Sequence, residues 1–221
     1  MRLPFSTDQF FRVFSEYNLA VWPAQVVLLG LALIAVLLIV RPRRRSGRII
    51  SVVLAALWAW LGLAYHVAFF ARINDAAYAF AAVSLAGAAL FLWQGAYRSR
   101  MQFRWQTDAR SIGGIALITF ALVGYPLWTW VDGHTYPAMP TFGLPCPTTL
   151  FTLGVLCFLV RPYPRSPLAV PLAWCIVGSQ AAVLLDVHPD LSLVVAGAVG
   201  IALVVVAGRV DAADPSTDDS M

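Results

Sequence analysis

Three histidines, a set of carboxylates and one thiol are the groups in this 221-residue chain best suited to do chemistry. His66 is followed by Asn74 and Asp75, Asp132 precedes His134, and Asp186 and Asp190 bracket His188. Imidazole, carboxylate and thiolate are the donors that zinc and similar transition metals accept. His66, His134, His188 and Asp186 form the candidate metal set, with Asp132 or Asp186 as acid or base toward a metal-activated water. No HxxxH or HExxH spacing supports them. The set therefore depends on the fold bringing separate connections together. A plainer reading is that short loops are polar because they meet water, with Asn74, Asp75 or Asp190 capping the helices that follow.

A second constellation suits a small solute or a proton. His66 stands between AWLGLAY and VAFF, deep enough in an apolar run that an ionisable group there is costly. Its ordinary pKa would let it relay or sense protons near neutrality. Cys146 lies between Pro145 and Pro147, and Pro147 suits the first position of a helix because its missing N–H has no partner there. A helix start at that point would favour a thiolate at Cys146, or receive an anionic solute with the help of Thr148 and Thr149. Ser179 and Gln180, near the middle of an apolar stretch, either tie helices together or line a path. Each of these residues also has a bland reading as a packed or hydrogen-bonded member of a bundle.

The elements that must position these groups are helices that cross a membrane. The chain is 60% hydrophobic, more apolar surface than a soluble domain of this length hides. A spanning helix needs about 20 mostly apolar residues. Seven such stretches are legible: Leu19–Val40, Ile49–Phe70, Ala76–Trp93, Ser111–Val131, Pro147–Val160, Pro167–Leu185 and Leu191–Ala207. The expected architecture is thus all-α, a polytopic seven-helix bundle over residues 19–208. The fifth stretch is short for a hydrocarbon core of about 30 Å, so it is either a short helix or a re-entrant segment. Residues 1–18 precede the bundle. There Ser6 and Gln9 have capping-box spacing, and Phe10, Phe14 and Tyr17 recur on one side of an amphipathic helix suited to the membrane interface. Residues 209–221 are an acidic tail of disordered composition.

Orientation follows from the arginines, which are the only basic residues. Twelve fall in the connections after the first, third and fifth spans and at Arg209, and three (Arg2, Arg12, Arg72) fall on the opposite side. The positive-inside rule places the N-terminus outside and the C-terminus in the cytoplasm. All three histidines and Cys146 then lie toward the outer end.

Composition also narrows the partners. Arginines at helix ends suit anionic lipid headgroups rather than nucleic acid. Three cysteines without paired spacing give no disulfide framework. GxGxxG, Walker and CxxCH motifs are missing, so no organic cofactor is expected, and zinc or a related metal is the one cofactor with candidate ligands. Small residues in AFAAVSLAGAALF and LVVAGAVGIALVVVAG, in the third and seventh spans, favour close packing within the bundle, in a homo-oligomer or against a membrane partner.

FSTDQFFRVFSEYNLAVWPAQ, AYHVAFFARIN and YPAMPTFGLPCPTTLFTLG are long, distinctive blocks. On them the chain resembles a family of bacterial multi-pass membrane proteins, the domain of unknown function 6064 family, from Phe5 to about Ala207. The resemblance implies a bacterial inner-membrane protein and no particular activity, substrate or catalytic residue. The leading functional expectation is binding or transport of a small solute, ion or proton through an outward polar vestibule. The alternatives are a metal-dependent membrane hydrolase using His66, His134 and His188, and a structural or assembly subunit.

Overall fold

The computed structural model describes residues 4–208, which are helical throughout apart from turns and isolated bridges. The expected acidic tail, 209–221, lies outside the described residues. In chain order the helices are α1 (Thr7–Ala20), α2 (Ala24–Val40), α3 (Ser46–Arg72), α4 (Ala77–Tyr97), α5 (Ala109–Val131), α6 (Pro145–Leu156), α7 (Ser166–Leu184) and α8 (His188–Val206). Five of these, α3, α4, α5, α7 and α8, are each long and apolar enough to cross a membrane, and α1 with α2 would make a sixth if counted as one bent span. The seven expected apolar stretches fall on α2–α8, of which α2 and α6 are individually shorter than a span.

The capping box at the start of α1 forms as its spacing requires. Ser6 Oγ accepts from Gln9 N–H at 3.2 Å, and Gln9 Oε1 accepts from Ser6 N–H at 2.8 Å. α1 then meets α2 at 86° across Trp22 and Pro23. It lies over the end of the bundle and buries Phe10, Val13, Phe14 and Tyr17 against Tyr65, Phe70, Leu144 and Leu185. The three arginine-rich connections gather at the other end. There Gln102 and Phe103 pair with residues 158–160: Arg104 N–H donates to Phe158 O and Val160 N–H to Gln102 O, both at 2.9 Å.

These two landmarks define the course of α6. Its start, at Leu144 and Pro145, belongs to the α1 end, and its exit, at Leu159 and Val160, belongs to the arginine end. The chain therefore passes from one end of the bundle to the other. Twelve residues rise only about 18 Å, so the turn at Cys157–Phe158 and the paired residues after it complete the passage. The helix ends at Leu156, short of the expected Val160, because backbone pairing with Gln102 and Arg104 takes over. It also begins at Pro145 rather than Pro147. The first N–H groups of a helix have no partner within it, so prolines at both its first and third positions cost no bond, and Thr148 N–H makes the first one, to Leu144 O at 3.1 Å.

Every residue of α6 except Cys146 is buried. It is walled by α3, α5, α7 and α8, and glycines set the closest approaches. A Cβ on Gly114 of α5 would stand 2.8 Å from Gly154 O, and one on Gly154 would stand 2.9 Å from Gly114 O. The glycines of the third and seventh spans serve packing within the bundle too: Gly87 faces Val170, and Gly200 faces Leu172 and Leu153. The outer surface carries exposed large apolar residues, among them Val27 and Leu33 on α2, Ile112 on α5, and Val195, Ile201 and Val205 on α8. A surface this apolar is shaped to meet lipid or another apolar surface.

Candidate functional site

At the α1 end the helices enclose a part-open cavity of about 180 Å³. Its walls are mainly aromatic and aliphatic, with Phe10, Phe14, Phe70, Phe80 and Trp174 around it and Leu144 and Leu185 between them. One carboxyl group lines it at depth. Asp190, in the first turn of α8, is 2% exposed. The Tyr125 hydroxyl donates to its Oδ1 at 2.5 Å.

Local structure aims Tyr125 at that point. α5 widens into a π-helical turn over Phe120–Gly124, immediately before Tyr125 and Pro126. A proline within a helix has no N–H to give and its ring crowds the preceding turn. A widened turn relieves both and rotates the residues beyond it. Cys146, in the first turn of α6, neighbours Asp190, Tyr125 and the Trp174 indole. It is half-buried because it faces the cavity.

This arrangement revises the expectation that the start of α6 would favour a Cys146 thiolate or an incoming anion. The chain supplies its own carboxyl group there, Asp190, so the positive end of α6 already has an acidic neighbour. Thr148 and Thr149 do not reach the cavity. Both are fully buried, and neither hydroxyl has a protein partner. Ser179 and Gln180 sit at a break in α7 near its Leu184 end rather than mid-span, and both side chains bond back to Ile176 O. Gln180 also lines the cavity rim.

Of the candidate metal ligands only His188 and Asp186 meet, and the set does not converge. His66 is fully buried in a π-helical turn of α3, Leu61–Val67. Its ring centroid is 5.1 Å from that of Trp174 and 5.8 Å from that of Phe80, and neither ring nitrogen has a protein partner. It backs the cavity wall from behind. His134 stacks on Phe11 at 4.0 Å. His188 is exposed and engages two carboxylates, Asp132 through Nδ1 at 3.1 Å and Asp186 through Nε2 at 3.3 Å. Among the described residues no group of three or more His, Cys, Asp or Glu is placed to hold a metal ion. The three histidines share an end of the bundle but point into different surroundings.

Two positioning residues escape a reading by residue type. Asn18 is fully buried and pins the proline-rich segment before α6: its Nδ2 donates to Pro137 O at 2.7 Å and Met139 O at 2.8 Å. Its Oδ1 accepts from Thr141 Oγ1 at 2.7 Å and from Gln25 Nε2 at 3.0 Å. Tyr125 is the other. The one sequence sign of it is the Gly-Tyr-Pro interruption of an otherwise apolar span.

Fold and cavity together define a polytopic helical bundle of membrane type with a ligand-sized chamber at one end. A family model described as a family of unknown function, the domain of unknown function 6064 family, matches residues 7–214, and the chain belongs to that family. No curated protein and no solved structure matches it.

Proposed function

We propose that this chain is a membrane protein that binds, and passes on, a small and largely apolar solute carrying one hydrogen-bond donor or positive charge. The observation that carries the reading is a single buried carboxyl group, held by Tyr125, lining a mainly apolar cavity. Sites of this kind take affinity from apolar walls and orientation from a few polar groups. An apolar cavity of roughly 150 Å³ accommodates benzene, so the chamber of about 180 Å³ suits one ring or a short chain. Asp190 accepts hydrogen bonds, and the carboxylates of Asp132 and Asp186, both paired with His188 two residues before it, disfavour an anion. The arginine distribution supports a cytoplasmic arginine end, which opens the cavity to the outside of a bacterial inner membrane.

Binding of benzylamine, benzyl alcohol and benzoate to detergent-purified protein, measured calorimetrically, tests the reading. The expected order is benzylamine, then benzyl alcohol, then benzoate, with the amine's advantage lost in Asp190→Asn. Equal binding of benzoate, or an unchanged amine preference in Asp190→Asn, would refute it.

A further inference from the structure

The arginine end holds a second cavity, of different character. Arg44, Arg45 and Arg48, at the start of α3, face Ser99 and Gln102 across a space of about 300 Å³. Among the described residues none of these three arginines has a carboxylate partner. By contrast, Arg72 and Arg110 are matched by Glu16 and Asp108.

The pocket is built rather than left over. Arg48 Nε donates to Ser99 Oγ at 2.7 Å, which fixes one guanidinium across the gap. Gln102 Nε2 donates to Ser99 O at 3.2 Å, and Ser99 holds a positive φ of 53°. A serine at that angle sits in the left-handed region that side chains seldom adopt, so the surrounding contacts dictate the turn. Those contacts are visible. A Cβ on Gly47 would fall 2.3 Å from Met101 O, so only glycine lets the 99–102 segment press against the start of α3. Met101 is fully buried, and the pairing of Gln102 and Arg104 with residues 158–160 clamps the far side.

Three guanidinium groups around one space repel each other and present several planar N–H forks. A phosphate group answers both conditions, because its oxygens accept paired N–H bonds and its charge offsets the repulsion. We infer that Arg44, Arg45 and Arg48, with Ser99 and Gln102, form a phosphate-binding site at the arginine end. Its ligand carries a phosphate monoester or diester, from a lipid headgroup or from a soluble molecule.

The test uses the full chain and separates the two sources. Retention of phosphatidylglycerol against phosphatidylcholine is measured by native mass spectrometry, and pyrophosphate binding by calorimetry. The variants are Arg48→Gln and Ser99→Ala, with Arg165→Gln as a control that removes one charge at the same end outside the pocket. Loss of one charge-assisted contact is expected to weaken binding about tenfold in Arg48→Gln. Ser99→Ala is expected to weaken it less, and Arg165→Gln to leave it unchanged. Arg48-dependent retention of phosphatidylglycerol that pyrophosphate does not displace assigns a lipid headgroup. Arg48-dependent pyrophosphate binding assigns a soluble phosphate. Equal loss in Arg48→Gln and Arg165→Gln would reduce the site to diffuse surface charge and overturn the inference. Binding of neither probe would overturn it as well.

Discussion

Asn18 offers the sharpest measurable consequence of this architecture. It is one side chain on α1, yet its amide makes four hydrogen bonds, donating to Pro137 O and Met139 O and accepting from Gln25 and Thr141. Asn18→Ala removes all four. A hydrogen bond nets about 1 kcal/mol, and a buried group left unpartnered costs about 1–3 kcal/mol. The flanking groups are part-buried and some recover water, so a loss of about 2–4 kcal/mol is expected. Asn18→Asp is the more discriminating variant. It keeps acceptors for Gln25 and Thr141 but sets a carboxylate against two carbonyl oxygens, and is expected to destabilise at least as much as Asn18→Ala. Equilibrium unfolding in mixed micelles of increasing denaturing detergent gives both values, and binding at the Asp190 cavity should weaken in parallel, since the pinned segment leads into its Pro145–Pro147 wall. A loss below about 0.5 kcal/mol in Asn18→Ala, or an Asn18→Asp variant as stable as the parent, would refute the donor role.

Two further expectations use the same unfolding assay. His66→Leu exchanges a fully buried ring, whose nitrogens have no protein partner, for an apolar side chain of similar volume, and stability should hold or rise by about 1 kcal/mol; a fall of that size would mean the imidazole has a partner in the folded protein. Asp108 caps α5, and the Ser111 N–H bond foremost, with Arg110 beside it, holds its carboxyl below the usual range. A carboxyl depressed on folding adds stability above its unfolded pKa and loses it as pH falls through the folded one. Unfolding midpoints should therefore drop on acidification more in the parent than in Asp108→Asn, and identical profiles would count against the cap.

Much of the fold was legible because hydrophobic length is a local property of the chain. Serine and glutamine three apart give the start of α1, and the apolar runs give the spans. What was not legible depends on convergence. His66, His134 and His188 share an end of the bundle but not a centre, because a π turn, a stack on Phe11 and two aspartates direct each ring elsewhere. Asp190 read as a helix cap, and its role as the polar floor of a cavity needs Tyr125, which reaches it across 65 residues of chain. The expected polar vestibule is instead mostly apolar, since the phenylalanines of α1 that suit a membrane interface fold over the bundle and form its walls.

The burial of α6 has a consequence for how the protein is made. A helix of twelve residues, rich in threonine at its start, is too short to hold itself in a bilayer, and lipid would offer its backbone nothing beyond its ends. Its partners on the later side, α7 and α8, emerge after it during synthesis. The burial of α6 is therefore complete only once α7 and α8 have been made. A nascent chain halted between Arg165 and Gly178 would hold α6 against α3 and α5 alone, through the Trp58–Thr152 hydrogen bond and the Gly114–Gly154 contact.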